Sequence, residues 1–512
     1  MKNMKKMMIR TALAAAVIGG AFLTFGCGDS APASSEGNKT ITIAAPVDIN
    51  TLDPRNGSGT ITTNVMSYIY DSLLRTDENG KITPYLAESY KQIDGTTWEF
   101  KLKKDAKFSD GTPLTAEDVK YTVDSFKDPS KNFKLASDYK FMDIEIKDPQ
   151  TFVIKLQKPF QSLPLRLTCM SILPKGYLEK VGDEEFAKKP IGSGPYKVQE
   201  WTKDNQVVLV KNENYYGTKP KADKVVFKII PEAASRMAAL ESHEVDIIAG
   251  VQTSEVERLK GVSGIKVVGG PTTRVIFLGM NLKTDTPLKD KKVRQALNYA
   301  VNKDEIIKGV LDGNATPIPT IATPQYEFYD KNIVPYEYNP EKAKELLKEA
   351  GYPDGFEIQM SLTESYMNGQ DVAQAISGQL AKVGVKVTPV MEASNGRTPK
   401  FKSATILPLY MMGIGGPYSD IDLVSKISFS TGERYSTWSD PKFDALREKA
   451  EETIDPAQAQ AAWSDLQNYI KEEAPAVFLY QQHMIYAYNG DKLSNFKPHQ
   501  DEHIVVTDVD VK

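Results

Sequence analysis

The first 27 residues decide where the rest of this chain has to fold. Lys2, Lys5, Lys6 and Arg10 precede an uncharged run from Thr11 to Phe25, and Gly26 and Cys27 follow. A basic n-region, a short apolar h-region and a small-residue cleavage site make an export signal. The run is too short to cross a bilayer comfortably, since about 20 apolar residues are needed. Residues 1–26 therefore read as a signal peptide, and the working chain as one that folds outside the cytoplasm. No later stretch is apolar enough to span a membrane, so the mature chain reads as water-soluble.

Length then demands more than one core. A chain of 512 residues exceeds the roughly 250 to 300 residues at which a single hydrophobic core stops growing, and no repeat of fixed period points to a solenoid. At least two lobes are expected. Charged residues at 25% and hydrophobic ones at 41% are ordinary for a globular protein. The net charge of -4 offers no broad attraction to phosphates, which argues against nucleic acid as a partner. Beyond Cys27 the only cysteine is Cys169, so no internal disulfide can form. Its setting, Leu167-Thr168-Cys169-Met170, predicts a buried small hydrophobe. His243, His483, His499 and His503 are scattered, and the i, i+4 pair His499 and His503 has no helical pattern around it. None sits in a metal motif, and no metal or cofactor is expected.

Strand-like and helix-like segments interleave from Thr40 onward. Thr40 to Val47, Trp98 to Leu102, Thr151 to Leu156, Val207 to Val210 and Val225 to Ile230 are rich in β-branched or aromatic residues at strand lengths. Val293, Ala296, Leu297, Ala300 and Val301 form a helical stripe for burial, with Lys291, Lys292, Arg294 and Asn298 predicted to face away. Asn339-Pro340, Asp440-Pro441 and Asp455-Pro456 each place a capping side chain before a proline at the first helical position. The fold class is mixed α/β.

Enzyme motifs fail on their spacing. Gly192-x-Gly194 meets Lys197 where a dinucleotide loop needs a third glycine, and it opens a turn into a strand rather than a helix. His243-Glu244 has Ile247 where a zincin needs its second histidine, and no serine lies in a Gly-x-Ser-x-Gly elbow. Asp420 and Asp422 could pair for acid–base work, but loop carboxylates of this kind are more often solvated or ligand-pairing. The chain does not read as an enzyme.

Phe108-Ser109-Asp110-Gly111-Thr112-Pro113-Leu114-Thr115-Ala116-Glu117-Asp118-Val119 is a turn followed by a helix that Thr115 caps. With it come Thr51-Leu52-Asp53-Pro54, Tyr70-Asp71-Ser72-Leu73-Leu74, Leu86-Ala87-Glu88-Ser89-Tyr90, Pro190-Ile191-Gly192-Ser193-Gly194-Pro195-Tyr196, Asn214-Tyr215-Tyr216-Gly217, Lys292 to Ala300 and Glu349-Ala350-Gly351-Tyr352-Pro353. In this order the blocks resemble the extracytoplasmic solute-binding proteins of ABC importers, family 5, which bind peptides, nickel complexes or glutathione-type ligands. The resemblance implies a periplasmic-binding-protein-like fold of class II, enlarged by an extra domain, whose two lobes close on a ligand cleft. Residues 40–56, 191–280 and 484–512 would form the first lobe, 57–190 the extra domain and 281–483 the second lobe. The implied role is capture of a short peptide by a monomer and its delivery to separate ABC permease and ATPase subunits. Leu23-Thr24-Phe25-Gly26-Cys27 also resembles a lipobox, with Thr24 and Phe25 where a leucine-like and then a small residue are usual. That implies acyl chains on Cys27, a flexible tether over residues 27–39, and anchoring in the periplasm or on the outer face of the cell membrane.

A peptide importer must grip an ammonium, a carboxylate and backbone amides, so its cleft needs a carboxylate, an Arg or Lys, and a strand edge. Tyr410 to Asp420 follows an apolar strand-like run and supplies Met412, Gly415, an aromatic wall in Tyr418 and a negative charge in Asp420. In the family this region carries the aspartate that meets the ligand ammonium; Asp420 is the candidate, with a turn or cap role as the alternative. Arg274 and Arg397 are candidates for the ligand carboxylate, and the loop Asp53 to Thr60, with Asn56, is expected on the opposite wall by family position. The nickel-binding members place a tryptophan where Ile414 stands and a histidine near Gly432, and both are missing here. The peptide is therefore the first expectation, and a nickel complex the second.

Overall fold

The computed structural model describes residues 39–77, 79–363, 366–393, 396–416 and 420–512; the leader, Cys27 and Tyr418 lie outside them. Two long strands, Ile265–Met280 and Ala476–Asn489, run antiparallel along almost their whole length and form the spine of an 11-stranded sheet. On one side of the spine lie Leu409–Ile414, Phe356–Leu362 and Val385–Met391. On the other lie Ile247–Ala249, Thr40–Ala45, Lys224–Ile229, Gln206–Lys211 and Tyr196–Thr202. Parallel pairs occur in both halves, Thr40–Ala45 against Lys224–Ile229 and Phe356–Leu362 against Val385–Met391. A separate four-stranded sheet, Ala87–Asp94, Thr97–Leu102, Thr151–Leu156 and Met142–Ile146, carries its own buried cluster from Leu73 to Ile172. The mixed α/β class expected from the sequence is the one observed.

Strand alternation explains why the spine reads as a continuous apolar run. Ile276, Leu278 and Met280 pack with the helices Lys291–Ala300 and Gly369–Ala381, whereas Val275 and Phe277 point to the opposite face. There they meet Val424, Phe443 and Trp463 of the helices Ile421–Phe429, Pro441–Glu452 and Pro456–Glu473. Both faces of this half are covered, as a sheet with parallel pairs requires.

The strand Ile265–Met280 begins well before its apolar run from Val275 to Met280. Gly269, Gly270 and Pro271 look like a loop, but they pair with Ile485, Met484 and His483. The register then shifts. Thr272, Thr273 and Arg274 stand between the pairs Pro271–His483 and Val275–Gln481, so three residues face Gln482 alone in a bulge. Gln481 donates to the carbonyl of Thr272 and Tyr326 to that of Thr273, which satisfies the backbone groups the bulge frees.

The proline-led helices begin where expected, with Asn339, Asp440 and Asp455 each accepting from a first-turn N–H. One helix face is corrected. Arg294 and Asn298 do not point to solvent; both are buried. Arg294 donates to the carbonyls of Leu288, Lys289 and Glu473, and Asn298 to those of Arg294 and Ala476. Arg294 thereby satisfies the carbonyl of Glu473 at the end of the helix Pro456–Glu473, and Asn298 that of Ala476 at the start of the spine strand.

Four of the sequence blocks meet in one knot. Gly194 N–H donates to the carbonyl of Ile69, Ser109 N–H to that of Gly192, and Asn214 to that of Ser109. Asp71 lies at the centre, its N–H donating to Ser193 Oγ and its carboxyl accepting from Tyr216. A Cβ on Gly192 would sit 2.0 Å from the carbonyl oxygen of Ile69, and one on Gly194 would sit 2.5 Å from that of Tyr68. Gly192→Ala should therefore push two backbones apart and lower stability by about 3 kcal/mol, read as a drop in urea midpoint at unchanged slope.

Burial pushes the Asp71 carboxyl up to about 7. The unfolded chain releases that proton near pH 4, so the folded state holds more protons between those values, and this group makes stability fall as pH rises from about 4 to about 7. Asp71→Asn should remove that part of the slope, so that the urea midpoint of the variant depends less on pH across the window than that of the parent.

Candidate functional site

The spine and the strand Leu409–Ile414, together with segments that pack beside the other half of the sheet, line a cavity of about 860 Å3, within the range of about 300–1,000 Å3 usual for small-molecule sites. One wall is the turn Gly57 to Thr60, the helix Thr60–Ile69, the strand Leu74–Thr76, and alternate residues His499, Asp501, His503 and Val505 of the C-terminal segment. The facing wall is Gly413 to Gly416, with Leu423, Ile427, Arg434 and Tyr435. A recess of about 150 Å3, lined by Arg397, Phe401 and Met412 among others, shares Gly413, Ile414 and Tyr435 with the main cavity.

Buried charge holds the first wall in place. Arg55 forks onto Asp53 with contacts of 3.0 and 2.7 Å, reaches Asp183 at 2.7 Å, and lies 4.1 Å from the centre of the Phe133 ring. The turn that follows is thereby pinned at its base. At the spine, the bulge presents Arg274 to the cavity, where Nε and Nη2 each contact the Glu502 carboxylate at 2.7 Å. Gly415 is needed beside it, because a Cβ there would meet Arg274 Cα at 2.7 Å.

Asp501 lies between two imidazoles, with His499 Nδ1 at 2.7 Å and His503 Nδ1 at 3.2 Å. Thr76 adds a hydroxyl at 2.9 Å. Burial works against the Asp501 charge, but the flanking histidines outweigh it and hold the carboxyl well below its ordinary range. An ionised carboxylate only accepts, so both Nδ1 atoms carry the proton.

Of the residues named from sequence, Arg274 and Gly415 line the cavity, and Arg397 and Met412 line the recess. Arg397 is buried and donates to the carbonyl of Met411 at 2.8 Å. Asn56 precedes the lining turn, and its side chain accepts from Lys134 N–H. Asp420 caps the helix Ile421–Phe429 by accepting from Leu423 N–H at 2.7 Å, and lies 4.0 Å from Arg166. Burial raises its carboxyl's pKa, with Arg166 working in the opposite direction. Tyr418 falls outside the described residues.

Asp420 and Asp422 are not the solvated pair their loop-like sequence suggests. Asp422 is buried between Arg166 at 3.1 Å and Arg447 at 2.7 Å, and Gln161 N–H reaches the carbonyl of Glu451 nearby. This cluster ties the part of the chain that carries the four-stranded sheet to the helices beyond the spine. Cys169 is also corrected: it is partly exposed and lines the cavity instead of filling a core, although burial pushes its thiol up to about 12.

The sequence reading missed Arg75, Arg434 and the His499–Asp501–His503 group. Arg75 follows a block read only for its resemblance, and Arg434 sits in a polar turn. The signal for the third group is the alternation from His499 to Val505, where every second residue lines the cavity.

The family model "Bacterial extracellular solute-binding proteins, family 5 Middle" matches residues 81–436. A glutathione-binding protein, GsiB, of Pectobacterium atrosepticum is 30% identical over 473 residues, covering 90% of this chain and 91% of the relative. Among solved structures, the periplasmic binding protein DppA of Helicobacter pylori, in complex with the peptide STSA, superposes with a TM-score of 0.81 at 26% identity over 92% of this chain and 98% of that one. NikZ of Campylobacter jejuni, in complex with Ni(L-His), gives 0.79 at 25% identity over 90% and 96%. A match over most of the length, to a fold whose cavity is framed as described, means that this chain belongs to the bacterial extracellular solute-binding proteins, family 5.

Proposed function

We propose that this chain captures short peptides outside the cytoplasm, between two lobes that meet along the spine, and hands them intact to an ABC permease powered by separate ATPase subunits. The observation that carries the reading is a strand edge on the cavity wall. Leu409–Ile414 pairs with the spine on one side, but on the other its pairing with Phe356–Leu362 ends at Tyr410. The carbonyl of Met411 points away from the spine, to Arg397. By the two-residue period of a strand, the N–H and C=O of Gly413 point the same way, into the space where Gly413 and Gly415 line the cavity. An extended peptide laid there gains main-chain hydrogen bonds without regard to its side chains, as strand addition does elsewhere. The DppA relative with its bound peptide supports this reading. So does the glutathione-binding relative, glutathione being itself a short peptide.

A nickel chelate is the second reading, favoured by His503, whose Nε2 is buried without a hydrogen-bond partner among the described residues, and by the NikZ neighbour. Titration calorimetry separates the two. Mixed tripeptides should give saturable heat that nickel with histidine does not give; the reverse would establish the chelate. The liganded protein should return its peptide unhydrolysed by mass spectrometry.

The sequence of the leader supports a lipid anchor on Cys27. Cys27→Ala should move the protein from the membrane fraction to the soluble fraction of cells, and unchanged fractionation would remove the anchor.

A further inference from the structure

We propose, on the basis of that peptide reading, that the cavity selects solutes with an excess of carboxylates, short acidic peptides first, through two guanidiniums that face it from opposite walls, Arg75 and Arg434. The charge count on the wall runs against that of the molecule. The whole chain carries -4, yet Arg75, Lys134, Arg274, Lys402 and Arg434 line the cavity, and among the described residues Asp501 is the one carboxylate lining it. Two of these six charges are already engaged. Arg274 is forked onto Glu502, and Asp501 accepts from two imidazoles and a hydroxyl. The other four cations have no carboxylate within ion-pair distance among the described residues.

A tyrosine ring lies beside each arginine. Arg75 lies 4.6 Å from the ring centre of Tyr85, whose hydroxyl is in turn held by Tyr215 at 2.7 Å. Arg434 lies 5.8 Å from the ring centre of Tyr435, which packs edge-on against Phe401 at 5.5 Å. Stacking orients a guanidinium while leaving its N–H edge free to fork onto a carboxylate. The carboxylates whose fields reach Arg75 are Asp71 and Asp501. Burial drives the first toward its neutral form, and the second is already shared between histidines. Lys134 and Lys402, both exposed, add a field that draws anions toward the cavity. A zwitterionic peptide brings one carboxylate to this set, and a basic one meets repulsion. A peptide with acidic side chains brings a partner for each guanidinium.

The test is calorimetry on ligand-stripped protein with three tripeptides of matched shape, Glu-Ala-Glu, Gln-Ala-Gln and Lys-Ala-Lys, and with the non-peptide tricarballylate. Glu-Ala-Glu should bind at least about tenfold more tightly than Gln-Ala-Gln, and the ratio should shrink as salt rises from about 0.05 to about 0.5 M. Lys-Ala-Lys should bind most weakly. Arg75→Gln and Arg434→Gln should each reduce the Glu-Ala-Glu to Gln-Ala-Gln ratio several-fold. Arg434 is exposed, so its variant keeps the test open should Arg75→Gln misfold, which circular dichroism would reveal. Equal or tighter binding of the neutral or basic peptide would overturn the proposal and leave the peptide reading standing. Binding of tricarballylate with no peptide bound would overturn the peptide reading and uphold selection for carboxylates. No heat from any of the four would overturn both.

Discussion

Everything in this molecule hangs on the ladder between Ile265–Met280 and Ala476–Asn489. Each half of the large sheet attaches to it, Leu409–Ile414 on one flank and Ile247–Ala249 on the other. The two halves therefore meet across a pair of strands whose register breaks twice within a short stretch, at Thr272 to Arg274 and again between Ile276 and Phe277. A continuous ladder resists bending, whereas a bulge concentrates twist and freedom at one place. That place also carries Arg274 to the cavity wall. The break in the ladder and the cavity wall thus share residues, and a change in one is felt by the other.

The blocks by which the sequence was read turn out to be joinery. Gly192, Gly194, Asp71, Ser109, Asn214 and Tyr216 lie in one knot of close backbone contacts. None of them lines the cavity among the residues described there. Packing of this kind leaves a strong trace in sequence, because a glycine against a carbonyl tolerates no substitute. A ligand wall leaves a weak one, since many polar side chains can serve it.

The difference shows in what could be read beforehand. Helix starts at Asn339, Asp440 and Asp455 were legible because a capping side chain and a proline act within four residues. Fold class was legible from alternation and from the blocks. Arg294 and Asn298 were misjudged because helical periodicity counts polar residues as outward, and their partners, Glu473 at a second helix end and Ala476 at the start of the spine strand, lie far along the chain. The cavity was harder still. Arg75, Arg434 and Asp501 come from three distant segments, and their common wall exists only once the spine has formed. The glycine-rich run near Gly415 was found because close backbone approach is a local requirement.

The buried cluster of Asp422 with Arg166 and Arg447 has a kinetic consequence. Separating desolvated ions is costly until water arrives to hydrate them, so in the proposed opening of two lobes a half-parted arrangement, with the ions apart and the gap still dry, is the least favourable stage. Exchange between shut and gaping forms is then switch-like instead of graded. On that proposal, release of a guest waits on the wetting of this cluster, and an outside surface that admitted water there would hasten unloading without touching the guest.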